Sequence, residues 1–359
     1  MNIAILVSGH GRGTNAEAIM QAAAKADCPF RVCAVVSAAP GHGALERATR
    51  YGVPAIVVDA AGCVDRSEFE SRVLAVLDEH TTEAIALAGF MRKLSGDFTS
   101  RYSNRILNVH PGLLPSFGGR GMYGRHVHEA VLAYGAKVSG CTVHFADDQY
   151  DHGPIVLQKT VAVLDDDAPE TLAARILPNE HKAYVEALTL LASGRLAVIG
   201  RRVRQVPPGV FVVMGEWGRP VAPDDAGLLQ CAFAIRKEVF CVEQHVPEDL
   251  ELDEYDAAAW HFLAFMDGVP VATARLLNKG GAAKIGRVAV LKAYRGRGLG
   301  VKVMEWAMHM AKDLKLQPMI LDAQVPVIPF YERLGFVAEG PVFDDAGIPH
   351  RRMTKPTGS

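Results

Sequence analysis

The chain of 359 residues has no long apolar run, no paired-cysteine motif and no excess of either charge. Its six cysteines (Cys28, Cys33, Cys63, Cys141, Cys231 and Cys241) form no C-x-x-C pair and show no metal-ligand spacing, so no metal site is expected. Scattered single thiols suit a reducing compartment. Lys and Arg number 38 against 40 Asp and Glu, a net charge of −2, which lacks the basic face a nucleic-acid binder needs. No stretch is apolar for long enough to cross a bilayer, and the start Met1-Asn2-Ile3-Ala4 has no basic leader segment. These absences predict a soluble, cytoplasmic protein with small-molecule substrates and neither nucleic acid nor membrane as partner. They leave the oligomeric state open.

What remains is an ordinary globular balance, 49% hydrophobic and 22% charged, in a chain long enough for two domains. Short apolar runs alternate with helical stretches from the outset: strands at Ile3–Val7, Val32–Val36, Ala55–Val58 and Glu83–Ala88, and helices at Thr14–Ala26, Gly43–Tyr51 and Asp65–Glu79. Continuous rather than alternating apolar strands predict a mostly parallel, doubly wound α/β sheet covered on both faces. A long helix from Pro169 to about Ser193 closes this part. Arg201, Arg202 and Arg204 before Pro207-Pro208-Gly209 read as a solvated linker rather than an anion site. The expected division is a domain over 1–200, a linker over 201–210 and a second domain over 211–359.

In the first domain Ser8-Gly9-His10-Gly11-Arg12-Gly13-Thr14-Asn15 joins the first strand to the first helix. Such a loop suits an anion at a helix N-terminus, although Thr14 acting simply as an N-cap needs no ligand. Asn108-Val109-His110-Pro111 ends a strand, and side chains two apart point the same way, so the carboxamide and imidazole share a face before Pro111 turns the chain out. Asp151, in Tyr150-Asp151-His152-Gly153-Pro154, completes a set suited to acyl transfer to an amine. An amide would stabilise the oxyanion, the carboxylate would hold the imidazole charged, and one of the two would take the amine proton.

With these residues, Leu87-Ala88-Gly89-Phe90-Met91-Arg92, His144-Phe145 and Glu180-His181, the stretch from 1 to about 198 resembles the phosphoribosylglycinamide formyltransferases. The resemblance implies a Rossmann-type fold and Asn108, His110 and Asp151 as the catalytic trio. It places the substrate phosphate at Gly13, Thr14 and Asn15, the ribose at Glu180, and 10-formyltetrahydrofolate along Met91, Arg92 and Leu94. Arg66 falls within one residue of a further family arginine. The loop Phe117–Gly124 is longer than the typical form, and it and the glycine loop add Arg120 and Arg12, which either assist phosphate binding or are simply exposed. The alternative acceptors are a sugar nucleotide and methionyl-tRNA.

In the second domain Arg295-Gly296-Arg297-Gly298-Leu299-Gly300 follows a strand over Ile285–Val290 and opens a helix, a cradle suited to pyrophosphate. With the strand Met319–Ala323 and Phe330-Tyr331-Glu332-Arg333-Leu334-Gly335-Phe336, residues 211–353 resemble the GNAT acetyltransferases, an α+β fold with a mixed sheet. The resemblance implies acetyl-CoA held by Arg295, Gly296, Arg297, Gly298, Leu299 and Gly300, its arm along Val288 and Val290, and Tyr331 as proton donor to the thiolate. Glu243, Glu251, Asp253, Asp256 and His261 either bind or activate a cationic amine or form a solvated acidic loop. A working enzyme and a non-catalytic acetyl-CoA sensor are the two readings of this domain.

Overall fold

The computed structural model describes residues 1–8, 11–206, 210–216 and 223–355, with side chains from 227 onward in the second part. The chain forms two compact units, Met1–Gln205 and Val206–Ser359. Gly9, His10 and the expected Pro207-Pro208-Gly209 linker lie outside the described residues.

The strands of the first unit are β1 (Asn2–Val7), β2 (Arg31–Ser37), β3 (Ala55–Val57), β4 (Ala84–Leu87), β5 (Ile106–His110), β6 (Val138–Phe145), β7 (Ile155–Ala162), β8 (Leu196–Ile199) and β9 (Arg202–Gln205). They form one sheet in the order β3-β2-β1-β4-β5-β6-β7-β9-β8. Strands β1 to β5 are parallel, and β6 and β7 continue antiparallel. Every residue from Ile3 to Val7 is buried, with Ile3, Ile5 and Val7 packed in one core and Ala4 and Leu6 in the other. A period of two on a sheet covered on both faces produces that split, the physical content of the continuous apolar run.

The helices start close to the expected places: Thr14–Ala23, Gly43–Arg50, Arg66–Glu79 and Pro169–Ala192. Asp65 caps its helix by accepting from the Glu68 amide at 2.9 Å. The last helix continues through Pro178, where the Asn179 side-chain amide donates to the Arg175 carbonyl at 3.1 Å. Two corrections concern boundaries. The first helix is capped by Gly13 and not by Thr14, with no side-chain cap. Arg202–Gln205 is not linker but strand β9, which forms a hairpin with β8 and pairs with β7 through Ile155 and Arg202.

The second unit contains β10 (Val210–Glu216), β11 (Trp260–Met266), β12 (Val269–Lys279), β13 (Ala282–Val290), β14 (Met319–Gln324), β15 (Val337–Asp345) and β16 (Ile348–Lys355), in the order β10-β11-β12-β13-β14-β16-β15. Among the described residues only β13 and β14 run parallel, and they pair at two positions, Ala283 with Met319 and Lys284 with Ile320, before diverging. The helix Leu299–Asp313 buries Leu299, Val303, Met304, Ala307 and Ala311 against the sheet, an i, i+4 stripe. No helix among the described residues is long and apolar enough to cross a membrane.

Candidate active sites

In the first unit β1, β4 and β5 end together where the strand order reverses, the usual place for a ligand crevice in such sheets. A cavity of ≈ 1130 Å³ opens there, lined by Asn108, His110, Asp151, Asn15, Glu180 and Met91 among others. Asn108 and His110 are two apart on β5. Across the antiparallel ladder Asn108 faces His144, and its Nδ2 lies 3.1 Å from His144 Nε2. An amide nitrogen can only donate, so His144 Nε2 accepts, and His144 Nδ1–H donates to the Phe145 carbonyl at 2.8 Å. The second Asn108 amide hydrogen is left for another acceptor.

His110 Nε2 lies 2.9 Å from the Phe117 carbonyl, which fixes that nitrogen as a donor and leaves Nδ1 facing Asp151 Oδ2 at 3.6 Å. Burial lowers the His110 pKa more than Asp151 raises it, so the imidazole is neutral at neutral pH. This corrects the expectation that the carboxylate holds the ring charged. Burial pushes Asp151 upward, but His110 and the Gly119 N–H, which donates to Oδ2 at 2.9 Å, help bring it below the usual carboxylate value. The lengthened Phe117–Gly124 loop is therefore wired to both groups, through a carbonyl to the histidine and an N–H to the aspartate. A Cβ on Gly118 would stand 2.4 Å from Leu114 Cδ2, so a larger residue there would have to displace the end of that side chain.

Gly13 shapes the glycine loop. Its φ is +70°, and a Cβ there would lie 2.6 Å from the Ala44 nitrogen. The Arg12 carbonyl accepts from Arg47 Nε at 2.9 Å, anchoring the loop, while the Arg12 side chain is exposed at the cavity. Arg120 is exposed at the same cavity. Neither guanidinium has a carboxylate partner among the described residues. Asn15 Nδ2 donates to Glu180 Oε2 at 2.9 Å, and its own Oδ1 is buried without a protein partner. Burial raises the Glu180 pKa, opposed by that hydrogen bond.

Of the expected folate-binding positions, Met91 lines the cavity, joined by Phe90. The Leu94 side chain does not: it is 5% exposed and packs in the core beside Phe98. Arg92 lies 5.1 Å over the Phe69 ring, and Arg66 sits near Glu70. Sequence alone gives His144 no role. Its importance depends on the register of β5 and β6, which a single sequence does not specify.

In the second unit a cavity of ≈ 800 Å³ opens where β13 and β14 part, lined by Val288, Val290, Arg295, Gly296, Gly298, Leu299, Gly300 and Tyr331. Gly298, at φ +76°, caps the helix Leu299–Asp313 without a side-chain bond. Arg295 is committed elsewhere, to Glu243 at 2.6 Å and the Val290 carbonyl at 3.0 Å. Arg297 is exposed and stacks on Tyr294, 5.6 Å from the ring centroid. Tyr331 is buried, and burial pushes its hydroxyl up to about 12, so it stays protonated.

The acids of this unit are paired with arginines. Arg236, wholly buried, holds Glu251 Oε1 and Asp256 Oδ1, each at 2.6 Å. Arg275 bonds Asp253 at 2.6 Å and Asp256 at 2.7 Å. Arg287 closes the ring to Glu251 at 3.1 Å and Asp253 at 3.2 Å. Three arginines thus neutralise three carboxylates, so this is neither a solvated acidic loop nor a free cation site. His261 Nε2 donates to the Asp256 carbonyl at 3.1 Å, and burial lowers its pKa to about 4.

Comparison with known proteins bears on both units. The formyl transferase family matches residues 1–188, more than half of the sequence. The chain belongs to that family. Its formyl transferase unit is 35% identical over 196 residues to phosphoribosylglycinamide formyltransferase of Escherichia coli, covering 55% of this chain and 89% of the relative. It is 42% identical over 198 residues to the trifunctional purine biosynthetic protein adenosine-3 of Gallus gallus, covering 55% of this chain and 19% of the relative. The chain thus spans only about a fifth of the trifunctional proteins it matches. Among solved structures, glycinamide ribonucleotide transformylase 1 from Symbiobacterium toebii aligns with a TM-score of 0.54 and 41% identity, over 58% of this chain and 94% of that one. The acetyltransferase (GNAT) domain family matches residues 222–357, so this formyl transferase is fused to a GNAT domain.

Proposed function

We propose that the first unit transfers a formyl group from 10-formyltetrahydrofolate to the amine of glycinamide ribonucleotide, a step of purine synthesis. The observation that carries this reading is the convergence of Asn108, a neutral His110 and an ionised Asp151 on one cavity. As the amine attacks the formyl carbon, the carbonyl oxygen gains charge, and the free Asn108 amide hydrogen is the donor for it. His110 Nδ1 has a lone pair for the amine proton, and Asp151, 3.6 Å away, stabilises the imidazolium so formed. Collapse breaks the bond from carbon to the folate nitrogen, to which the imidazolium returns its proton. Gly13, Thr14 and Asn15 would receive the phosphate, with Arg12 and Arg120 adding positive potential, and Glu180 the ribose. Purified protein given both substrates should form the formylated product. Turnover only with a sugar nucleotide or methionyl-tRNA would replace this acceptor.

For the second unit we infer acetyl transfer from acetyl-CoA to an amine, with Tyr331 protonating the leaving thiolate. A buried hydroxyl kept neutral by its surroundings supports a proton donor, where a sensor would need none. The unpaired edge of β13 beyond Lys284 supports an extended pantetheine arm along Val288 and Val290. Thiol release from acetyl-CoA on a panel of amines should depend on one amine class and fall about tenfold or more in Tyr331→Phe. Tight acetyl-CoA binding with no turnover on the panel would make the domain a sensor.

A further inference from the structure

We propose that Arg201, in the tip of the β8–β9 hairpin, is a positioning residue for formyl transfer: through His152 it fixes the turn that carries Asp151. The inference rests on Asp151 acting in that reaction. It concerns a segment beyond residue 188, the last residue that the family model matches, although the solved Symbiobacterium toebii structure aligns over 58% of the chain.

The Asp151 turn combines a left-handed residue with a close backbone approach. Asp151 has a φ of +52°, in the left-handed region, which costs a non-glycine residue about 1 kcal/mol or more. Two residues on, the Gly153 backbone packs so closely on the Phe145 carbonyl that a Cβ would stand 2.0 Å from its oxygen. Between them, His152 is tied on three atoms. Its Nδ1 lies 2.7 Å from Asp147 Oδ2, its Nε2 lies 3.0 Å from Arg201 Nη1, and its carbonyl accepts from Arg201 Nη2 at 2.6 Å. A guanidinium has no acceptor, so Nε2 must accept, and the Nδ1–H then donates to Asp147. One tautomer of a neutral ring satisfies all three contacts. Asp147 Oδ1 also accepts from the Gln149 amide at 2.9 Å, so the clamp spans the whole turn.

The fold explains how Arg201 arrives there. Ile199 pairs with Arg202, leaving Gly200 and Arg201 as a two-residue hairpin turn with Gly200 at φ +57°. Arg202 in turn pairs with Ile155, immediately after the Asp151 turn. The sheet therefore delivers the turn of one hairpin to the turn before β7. Asp151 is adjacent to His152, and its bonds to Gly119 and its reach to His110 are set by where that turn sits. Misplacement of a reacting group by about 1 Å can cost up to a hundredfold in rate.

The test is made on the full chain with Arg201→Ala, Arg201→Lys and His152→Ala, measuring formyl transfer to glycinamide ribonucleotide. Arg201→Ala should lower kcat by about tenfold with both KM values within about twofold of the parent and an unchanged melting temperature. Arg201→Lys, which keeps one donor for the His152 carbonyl, should recover part of the loss. The pair Arg201→Ala/His152→Ala should be no worse than the poorer single variant, because both act on one contact. Imidazole nitrogen NMR reads the same contact without turnover: His152 should lose its single tautomer in Arg201→Ala. A kcat within twofold of the parent, a loss that follows thermal stability, or an unchanged His152 tautomer would overturn the positioning role. An inactive parent chain with the tautomer change intact would instead overturn the proposed formyl transfer on which this role rests.

Discussion

The two units set the same device beside opposite charge arrangements. Each starts a helix on a glycine in the left-handed region, Gly13 and Gly298, with no side-chain cap, and each places a cavity at that point. Beside the first cavity the two buried carboxylates have uncharged partners, Asp151 an imidazole and a backbone N–H and Glu180 a carboxamide, while the ion pairs Glu17–Arg47 and Glu170–Arg125 lie further out and Arg12 and Arg120 face the cavity. Around the second cavity Glu251, Asp253 and Asp256 are spent on Arg236, Arg275 and Arg287, and the best proton donor is an uncharged phenol. A cluster of acids is therefore a poor guide to catalysis until its counter-charges are located. Carboxylates with neutral partners keep protons within reach, whereas carboxylates locked to guanidinium groups define shape.

The largest effect that would break this contrast is on stability. Arg236→Met should leave Glu251 with Arg287 alone and Asp256 with Arg275 alone, one buried positive charge short, and destabilise the second unit by about 3–5 kcal/mol, leaving formyl transfer unchanged. Urea unfolding checks it; normal stability with acetyl transfer abolished would make those acids catalytic after all. Next, Asn108→Ala and His110→Ala should each lower formyl-transfer kcat by about a hundredfold or more while both units melt as before. A smaller effect separates the two exposed arginines from solvent-facing bystanders. Arg12→Ala and Arg120→Ala should each raise KM for the phosphorylated acceptor by about tenfold, the scale of one charged hydrogen bond, and leave KM for the folate unchanged.

The smallest effect is a pH dependence. His261 has a folded-state pKa of about 4, below the ordinary histidine value, so the unfolded chain binds the proton more readily. Its contribution to stability is complete above about pH 6.5 and is lost as pH falls from there toward 4. By pH 5.5 the second unit should have lost about 1 kcal/mol, and His261→Gln should flatten that slope in urea titrations at several pH values. His110 is likewise depressed, so formyl transfer should hold below the usual histidine range and fail only as the ring takes up a proton.

Much of the architecture could be read from the chain because local pattern and burial agree. The run Ile3–Val7 is apolar throughout as both faces of β1 are covered, and Asn108 and His110 share a face because strands repeat every two residues. The misreadings concern long-range pairing. Arg201, Arg202 and Arg204 look like linker until Arg202 is seen opposite Ile155. Glu251, Asp253 and Asp256 look like a free acidic loop because their partners, at 236, 275 and 287, come from a helix end and two separate strands. His144 gains its meaning only from standing across from Asn108. Leu94, assigned to the folate pocket by resemblance, is a core residue.

The early parting of β13 and β14 leaves a slot in the middle of the second sheet, its walls offering backbone amides and carbonyls with no strand between them. An extended molecule that fills the slot acts as a temporary strand, and its affinity becomes part of the folding free energy of the unit. Occupancy at a hundred times the dissociation constant adds about 2.7 kcal/mol. The thermal stability of residues 206–359 thus reports the concentration of whatever binds there, and amide exchange along Gly286–Val290 should slow in step with it.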